Sequence, residues 1–188
     1  MSETIQLVTV LVVISIISGV ALSLTFDATD PIIQQNKVDD LIKSLSDVLA
    51  ADSFEEVDIS TGSILKVYKG FDKEGKLVGL VVLSEQAGFQ SYIKILTGID
   101  IKSRKITKVK VLEHLETPGL GARIDEDEFL SQFQDKWLKE EVDGVTSATV
   151  ATVDAITGAT ISSSTVIGTV GESLEGVLRL IKEENLLK

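Results

Sequence analysis

From Ile5 to Phe26 the chain runs 22 residues without a charge, and Val, Ile and Leu fall on every face of a helical wheel. At about 1.5 Å per residue such a helix is about 33 Å long, enough for a hydrocarbon core of roughly 30 Å. A buried helix of a water-soluble domain seldom stays uncharged on all faces for six turns, so the pattern predicts a retained transmembrane anchor over residues 1–30. A cleaved signal peptide is the rival, with Ala21 and Ser23 as small residues near a cleavage point. No Lys or Arg precedes the run, whereas a signal peptide needs a positive start. Pro31 and Gln34-Gln35-Asn36 then predict a break.

Beyond the break, Val38, Leu41, Ile42, Leu45, Val48 and Leu49 recur at helical spacing, predicting an amphipathic helix over Asn36–Ala51. The acidic stretch Asp52–Gly62 reads as a turn-rich connection. From Ile64 the period shortens. Ile64–Tyr68, Leu77–Ser84, Ser91–Thr97 and Lys105–Leu112 are β-rich segments separated by turn signals, as in antiparallel hairpins and meanders. Ile106 to Val111 alternates apolar and polar residues, predicting a strand with one wet face.

After a loop at Thr117–Gly121, Asp125–Trp137 reads as a helix with Phe129, Leu130, Phe133 and Trp137 on one face, an aromatic stripe best explained by core packing. Val145–Val153 is strand-like. A final amphipathic helix from about Ser164 to Asn185 carries Ile167, Val170, Leu174, Val177, Leu178 and Ile181. The expected fold is α+β: one N-terminal transmembrane helix, then residues 31–188 as a single antiparallel-sheet domain with flanking helices.

Composition narrows the chemistry. The 188 residues include no cysteine and one histidine, His114. Thiolate metal sites, disulfides and thiol nucleophiles are excluded, and a His-based triad or metal site has little to work with. A net charge of -11 and a pI near 4.6 oppose phosphate backbones, so nucleic acid is not the expected partner. The first basic residue is Lys37, so charge alone leaves the orientation of the anchor open.

Two short motifs stand apart from any folding requirement. In Asp154-Ala-Ile-Thr-Gly-Ala-Thr160, the small residues Gly158 and Ala159 precede a hydroxyl, and Asp154 stands six positions upstream. The order predicts a tight turn feeding a helix, with Thr160 near its entry, where unpaired N–H groups and the helix dipole favour a phosphate. A plain helix cap by Thr160 or Ser162 is the simpler reading. In His114-Leu-Glu-Thr-Pro-Gly-Leu-Gly121, Pro118-Gly119 predicts a type II turn and Gly121 a second flexible point. Such a loop lets backbone approach a planar ring, with Leu120 over a face and Glu116 and Thr117 as polar contacts. A hairpin-end turn is its plain alternative.

In this order, behind an anchor, the two motifs resemble the FMN-binding domain of the Rnf and sodium-pumping NADH:quinone reductase complexes. The likeness spans the anchor, the strands from Gly79 to Leu112, both motifs and the last helix. The compact length and the His114–Gly121 string favour the G-subunit branch over the quinone reductase's longer C subunit. The resemblance implies FMN joined through a phosphoester to Thr160, with Asp154 recognised by the flavin transferase that installs it. Thr157, Gly158 and Ala159 match the motif's small centre. Glu116, Thr117, Gly119, Leu120 and Gly121 match the loop beside the isoalloxazine ring. It further implies a flavin domain outside the cytoplasmic membrane and partner subunits within the membrane complex. Electron transfer there couples ferredoxin–NAD chemistry to Na⁺ or H⁺ translocation, with no independent catalysis by this chain. Two departures stand out: the family's glycine-rich segment is reduced to Ala87-Gly88-Phe89-Gln90, and Ser162 replaces a frequent Thr. A C-type quinone-reductase subunit and a cofactor-free extracytoplasmic binding or scaffold module are the alternatives.

Overall fold

The computed structural model describes residues 2–57, 62–136 and 153–183. The chain divides into two compact units, Met1–Ile42 and Lys43–Lys188. The first is helical. Helix α1 runs Ser2–Val48, and the apolar side chains from Ile5 to Phe26 are exposed, Leu22 by 73%. Side chains of this kind are stable outward only against an apolar solvent, and α1 is the one described helix long and apolar enough to cross a membrane. The expected break is absent: Pro31 lies inside α1. Proline removes a single i→i−4 bond, and flanking i,i+4 pairs from Gln34 to Asp30 (3.4 Å) and Gln35 to Asp39 (3.0 Å) support the turns around it.

The second unit is built on a five-stranded antiparallel meander, in the order β1 (Ser53–Val57), β2 (Ile64–Phe71), β3 (Leu77–Ala87), β4 (Tyr92–Asp100) and β5 (Lys105–Glu113). All four β-rich segments expected between Ile64 and Leu112 form strands. Strand β1 is the addition, arising within the stretch read as a connection. It pairs Ser53 with Phe71 and Val57 with Val67, and supplies an edge that its acidic residues leave facing water. Residues 58–61 lie outside the description. In β5 the expected alternation is interrupted. Gly98 faces Lys108 and Ile99 faces Ile106, so Thr107 is an extra residue, and buried Ile106 and Val109 fall three apart rather than two or four.

One sheet face carries the core. Ile64, Leu80, Val82, Ile93, Ile95 and Ile99 meet Val166, Val170, Leu174 and Val177 of α3, the helix Thr160–Glu183. The single helix expected over Asp125–Trp137 is instead three short pieces: a 3₁₀ turn at Gly121–Asp125, helix α2 at Asp127–Leu130 and a 3₁₀ turn at Ser131–Phe133. Asp135, at a φ of 61°, turns the chain back, and Asp135 and Lys136 bond backbone to backbone with Ile106. The aromatic stripe does pack the core, with Phe129 and Phe133 edge to face at 5.5 Å. Trp137, Val145–Thr152 and Asn185 lie outside the described residues.

Leu45, Val48 and Leu49 close the other face. They fit because Gly70, Gly79 and Gly98 lie beneath them: a Cβ on Gly98 would stand 2.3 Å from the Val48 carbonyl oxygen, and one on Gly79 2.8 Å from Leu49. The Thr107 hydroxyl donates to that same Val48 carbonyl. Asp47 takes bonds from Lys110 (3.0 Å) and Lys108 (3.3 Å), which hold its carboxyl below the usual carboxylate range.

Candidate functional site

Both motifs become glycine turns of the same kind. In Thr117-Pro118-Gly119-Leu120 the Leu120 N–H returns to the Thr117 carbonyl at 3.1 Å, and Gly119 has a φ of 75°. In Ile156-Thr157-Gly158-Ala159 the Ala159 N–H returns to Ile156 at 3.0 Å, and Gly158 has a φ of 83°. Positive φ at the third residue is the type II signature and the reason glycine stands there. The turns are adjacent in space: a Cβ on Gly158 would lie 3.6 Å from Leu120 Cδ2, and one on Gly119 would meet open space.

The second turn delivers the chain into α3. Ser163 secures it, accepting the Ile156 N–H at 3.0 Å and donating to the Ala159 carbonyl at 2.9 Å. Ala159 also accepts the first intrahelical bond, from the Ser163 N–H at 2.9 Å, so the N-cap residue is an alanine with no side-chain acceptor. Neither Thr160 nor Ser162 caps the helix. Thr160 is the first helical residue, exposed, while Ser162 is buried and turned elsewhere. None of the hydrogen bonds among the described residues engages the N–H of Thr160, Ile161 or Ser162. An exposed threonine thus stands at the mouth of an uncapped helix, whose open N–H groups and dipole suit an anion.

Glu116 is the junction of the site. It is 4% exposed, and Oε1 accepts three consecutive backbone N–H groups, from Phe89 (3.0 Å), Gln90 (3.0 Å) and Ser91 (3.4 Å). Oε2 accepts the Ser162 hydroxyl at 2.6 Å. Burial raises the pKa of this carboxyl, but the Ser162 hydroxyl and the three amides outweigh it and hold Glu116 ionised below the usual range. The expectation that Glu116 offers a polar contact to a ring therefore meets a carboxylate already committed inside the protein. Gly121 is likewise a packing position rather than a hinge: its φ is not positive, and a Cβ there would come within 2.7 Å of Glu116 and 2.8 Å of Ser162.

The remaining residues fall around this centre. Thr117 is half-buried, and its carbonyl accepts the N–H groups of Leu120 and Ala122. Asp154 is exposed and fixed through its backbone: its N–H bonds Gln132 Oε1 at 2.8 Å. Asp154 and Thr157 line a cleft of about 480 Å³ with Arg123, Glu126 and Gln132. A second cleft, of about 540 Å³ beside Asp47, Lys108 and Lys110, contains none of the motif residues. His114 has a structural place. Its Nδ1 accepts the Glu116 N–H at 3.1 Å, which puts the proton of the neutral ring on Nε2, facing Asp125 Oδ2 at 2.7 Å. The Phe89–Ser91 amides, Gln132 and Ser163 are members of the site that side-chain motifs do not announce, since each of these contacts runs through backbone atoms on one side. Phe89, Leu115, Leu120 and Ile161 remain exposed, each next in sequence to Gly88, Glu116, Gly121 or Ser162.

An FMN-binding domain model matches residues 88–175, from the Phe89 loop through both turns and into α3. The G subunit of the ion-translocating oxidoreductase complex of Methanosarcina acetivorans is 36% identical over 184 residues, covering 93% of this chain and 95% of that protein. The G subunit of the proton-translocating ferredoxin:NAD(+) oxidoreductase complex of Clostridium ljungdahlii is 31% identical over 168 residues, 86% and 84% of the two chains. Among solved structures, NqrC of Shewanella oneidensis aligns with 58% of this chain and 54% of its own, at 30% identity and a TM-score of 0.46. With such identity to the two G subunits along nearly the full length of both chains, and an FMN-binding domain spanning the two turns, the chain belongs to the G-subunit family of ion-translocating oxidoreductase complexes.

Proposed function

We propose that the chain is the membrane-anchored flavoprotein subunit of an Rnf-type complex and holds FMN through a phosphoester on Thr160. The observation that carries this reading is the exposed Thr160 at the uncapped start of α3, beside two positive-φ glycine turns. The residues present fit the group. A phosphate ester on Thr160 Oγ1 lies among the open N–H groups of the first helical turn. Gly119 opens onto free space, and Leu120, which lies beside Gly158, and Ile161 offer apolar surface for a planar ring. FMN supplies the redox chemistry, while the protein binds, orients and electrostatically tunes it. No protein base or nucleophile is needed for electron transfer, which suits a chain with one histidine and no cysteine.

In this reading the flavin transferase meets Asp154 and Thr157 at the open cleft, and the mature subunit passes electrons between cofactors of its membrane partners. The flavin domain lies on the extracytoplasmic side, as the family resemblance implies. The complex couples ferredoxin–NAD electron transfer to movement of Na⁺ or H⁺. The test is a denaturing gel of the chain co-expressed with its flavin transferase. Flavin fluorescence should travel with the protein band, vanish in Thr160→Ala and persist in Thr157→Ala. A colourless band despite an active transferase sinks the proposal.

A further inference from the structure

We infer that Glu116 is a positioning residue whose buried, cation-free charge holds the Thr160-bound flavin at a lower reduction potential than the fold alone would give. This deepens the reading of Thr160 as the attachment point and rests on it. Three segments meet at the one carboxylate: the Gly88–Ser91 loop through its amides, the Glu116–Gly121 loop through the chain itself, and the first turn of α3 through Ser162. Ser162 is two residues from Thr160 in the first turn of α3, and Gly121 follows Leu120, so the carboxylate touches both the helical turn that carries the attachment point and the loop beside it. Both carboxylate oxygens are enclosed by glycines. A Cβ on Gly88 would stand 2.6 Å from Oε1, and one on Gly121 2.7 Å from Oε2, so the pocket is shaped for this group and has no room to relax away from it.

The partners are all neutral. Successive backbone N–H groups form an anion-binding concavity, and a carboxylate from the same chain fills it. Among the described residues no Lys or Arg bonds Glu116. Arg123 is engaged by Glu126 at 3.1 Å, and Lys94 by Glu113 at 2.8 Å. His114, the nearest basic type in sequence, turns Nδ1 to the Glu116 N–H and Nε2 to Asp125, not to the Glu116 carboxylate. A buried charge normally has an opposite partner, because leaving water is costly. Hydrogen bonds stabilise this one without cancelling its field. A glutamine would satisfy the geometry nearly as well: its carbonyl can accept the three amides, and its NH₂ can donate to a rotated Ser162 hydroxyl. The negative charge is thus surplus to the bonding pattern. In a low-dielectric setting a fixed anion opposes electron gain by a neighbouring group.

The experiment compares wild type, Glu116→Gln and Ser162→Ala as full chains in detergent, each co-expressed with the flavin transferase. The readouts are in-gel flavin fluorescence, thermal melting and the midpoint potential of the attached flavin. Glu116→Gln is expected to melt cooperatively, keep its flavin and favour the reduced form at least tenfold more, about 30 mV for a two-electron couple. Ser162→Ala removes the Oε2 bond but keeps the charge, so its potential should not rise. An unchanged potential in Glu116→Gln overturns the inference, as does an equal rise in both variants, which would trace the effect to packing. A Glu116→Gln chain that cannot fold also overturns it, assigning the carboxylate to folding alone. Absence of flavin from the wild-type band is a different failure, that of the Thr160 assignment.

Discussion

Gly121→Ala should break the site's central junction while leaving the backbone path intact. Gly121 is not in the left-handed region, so alanine is conformationally acceptable there, and the whole penalty is steric. The new methyl would lie 2.7 Å from Glu116 Oε2 and 2.8 Å from Ser162 Oγ, on top of the 2.6 Å bond that joins them. Glu116 cannot swing aside without releasing the three amides on Oε1. Losing a bond to a charged group costs about 1.5–3 kcal/mol, and tolerating an extra methyl in a packed site costs about 1–3 kcal/mol. These overlap, because surrendering the bond relieves the clash. Replacing glycine returns about 0.4–1 kcal/mol by restricting the unfolded chain. The net is about 0.5–2.6 kcal/mol of local destabilisation, roughly 2- to 80-fold in an opening equilibrium. Hydrogen exchange of the full chain in detergent reads this directly: the Phe89, Gln90 and Ser91 amides should exchange faster by that factor, while β3 and β4 amides change little. Gly119→Ala is the control, since its Cβ meets open space and its strain is confined to a φ of 75°. If Gly121→Ala leaves the Phe89–Ser91 amides as protected as in the wild type, the junction described for Glu116 is wrong.

Two further predictions rest on the same geometry. Ser163→Ala removes the acceptor of the Ile156 N–H and the donor to Ala159, so the turn before Thr160 should loosen by about 1–3 kcal/mol. Exchange at residues 156–159 should rise, and the flavin yield per band should fall; unchanged values for both would refute the role of Ser163. The pH dependence has a definite sign. Because the folded pKa of Glu116 lies below the ordinary carboxylate value near 4.3, its contribution is complete above that value and disappears as pH falls through the lower folded pKa. Melting temperatures measured from pH 6 downward should therefore drop more steeply in wild type than in Glu116→Gln, chiefly below about pH 4. Asp47, also lowered, is present in both proteins and cancels from the comparison. Parallel curves would show that Glu116 is not ionised in the folded state.

Local periodicity carried the main elements. The β segments from Ile64 to Leu112 and the apolar spacing from Val166 to Ile181 give the sheet and α3 because burial on one face imposes period two on strands and 3.6 on helices. The departures arise where long-range contacts outweigh the local pattern. Ser53–Val57 has few strand formers and becomes β1 because β2 offers an unpaired edge. Phe129 and Phe133 have helical spacing, yet the chain turns at Asp135 to pair with Ile106. Proline in α1 removed one bond and not the helix. At the site, Pro118-Gly119 and Gly158 were readable because turn chemistry is local. The role of Glu116 was not, because its ligands are the amides of residues more than twenty positions away, and backbone donors leave no mark on a sequence. Gly121 shows the same limit: its lack of bulk was visible, but the neighbours that require it were not.

The alanine at the start of α3 gives the fold a stake in its own maturation. A serine, threonine or aspartate there would stabilise the helix by about 1 kcal/mol, yet it would occupy the N–H groups that a phosphate on Thr160 needs. With the proposed phosphate in place, an anion at the dipole's positive end would tighten the first turn by about 0.3–1 kcal/mol. On the proposed attachment, modification would complete the helix as well as load the cofactor. The proposed acceptor is thus an exposed threonine on a helical turn whose first N–H groups no hydrogen bond among the described residues engages.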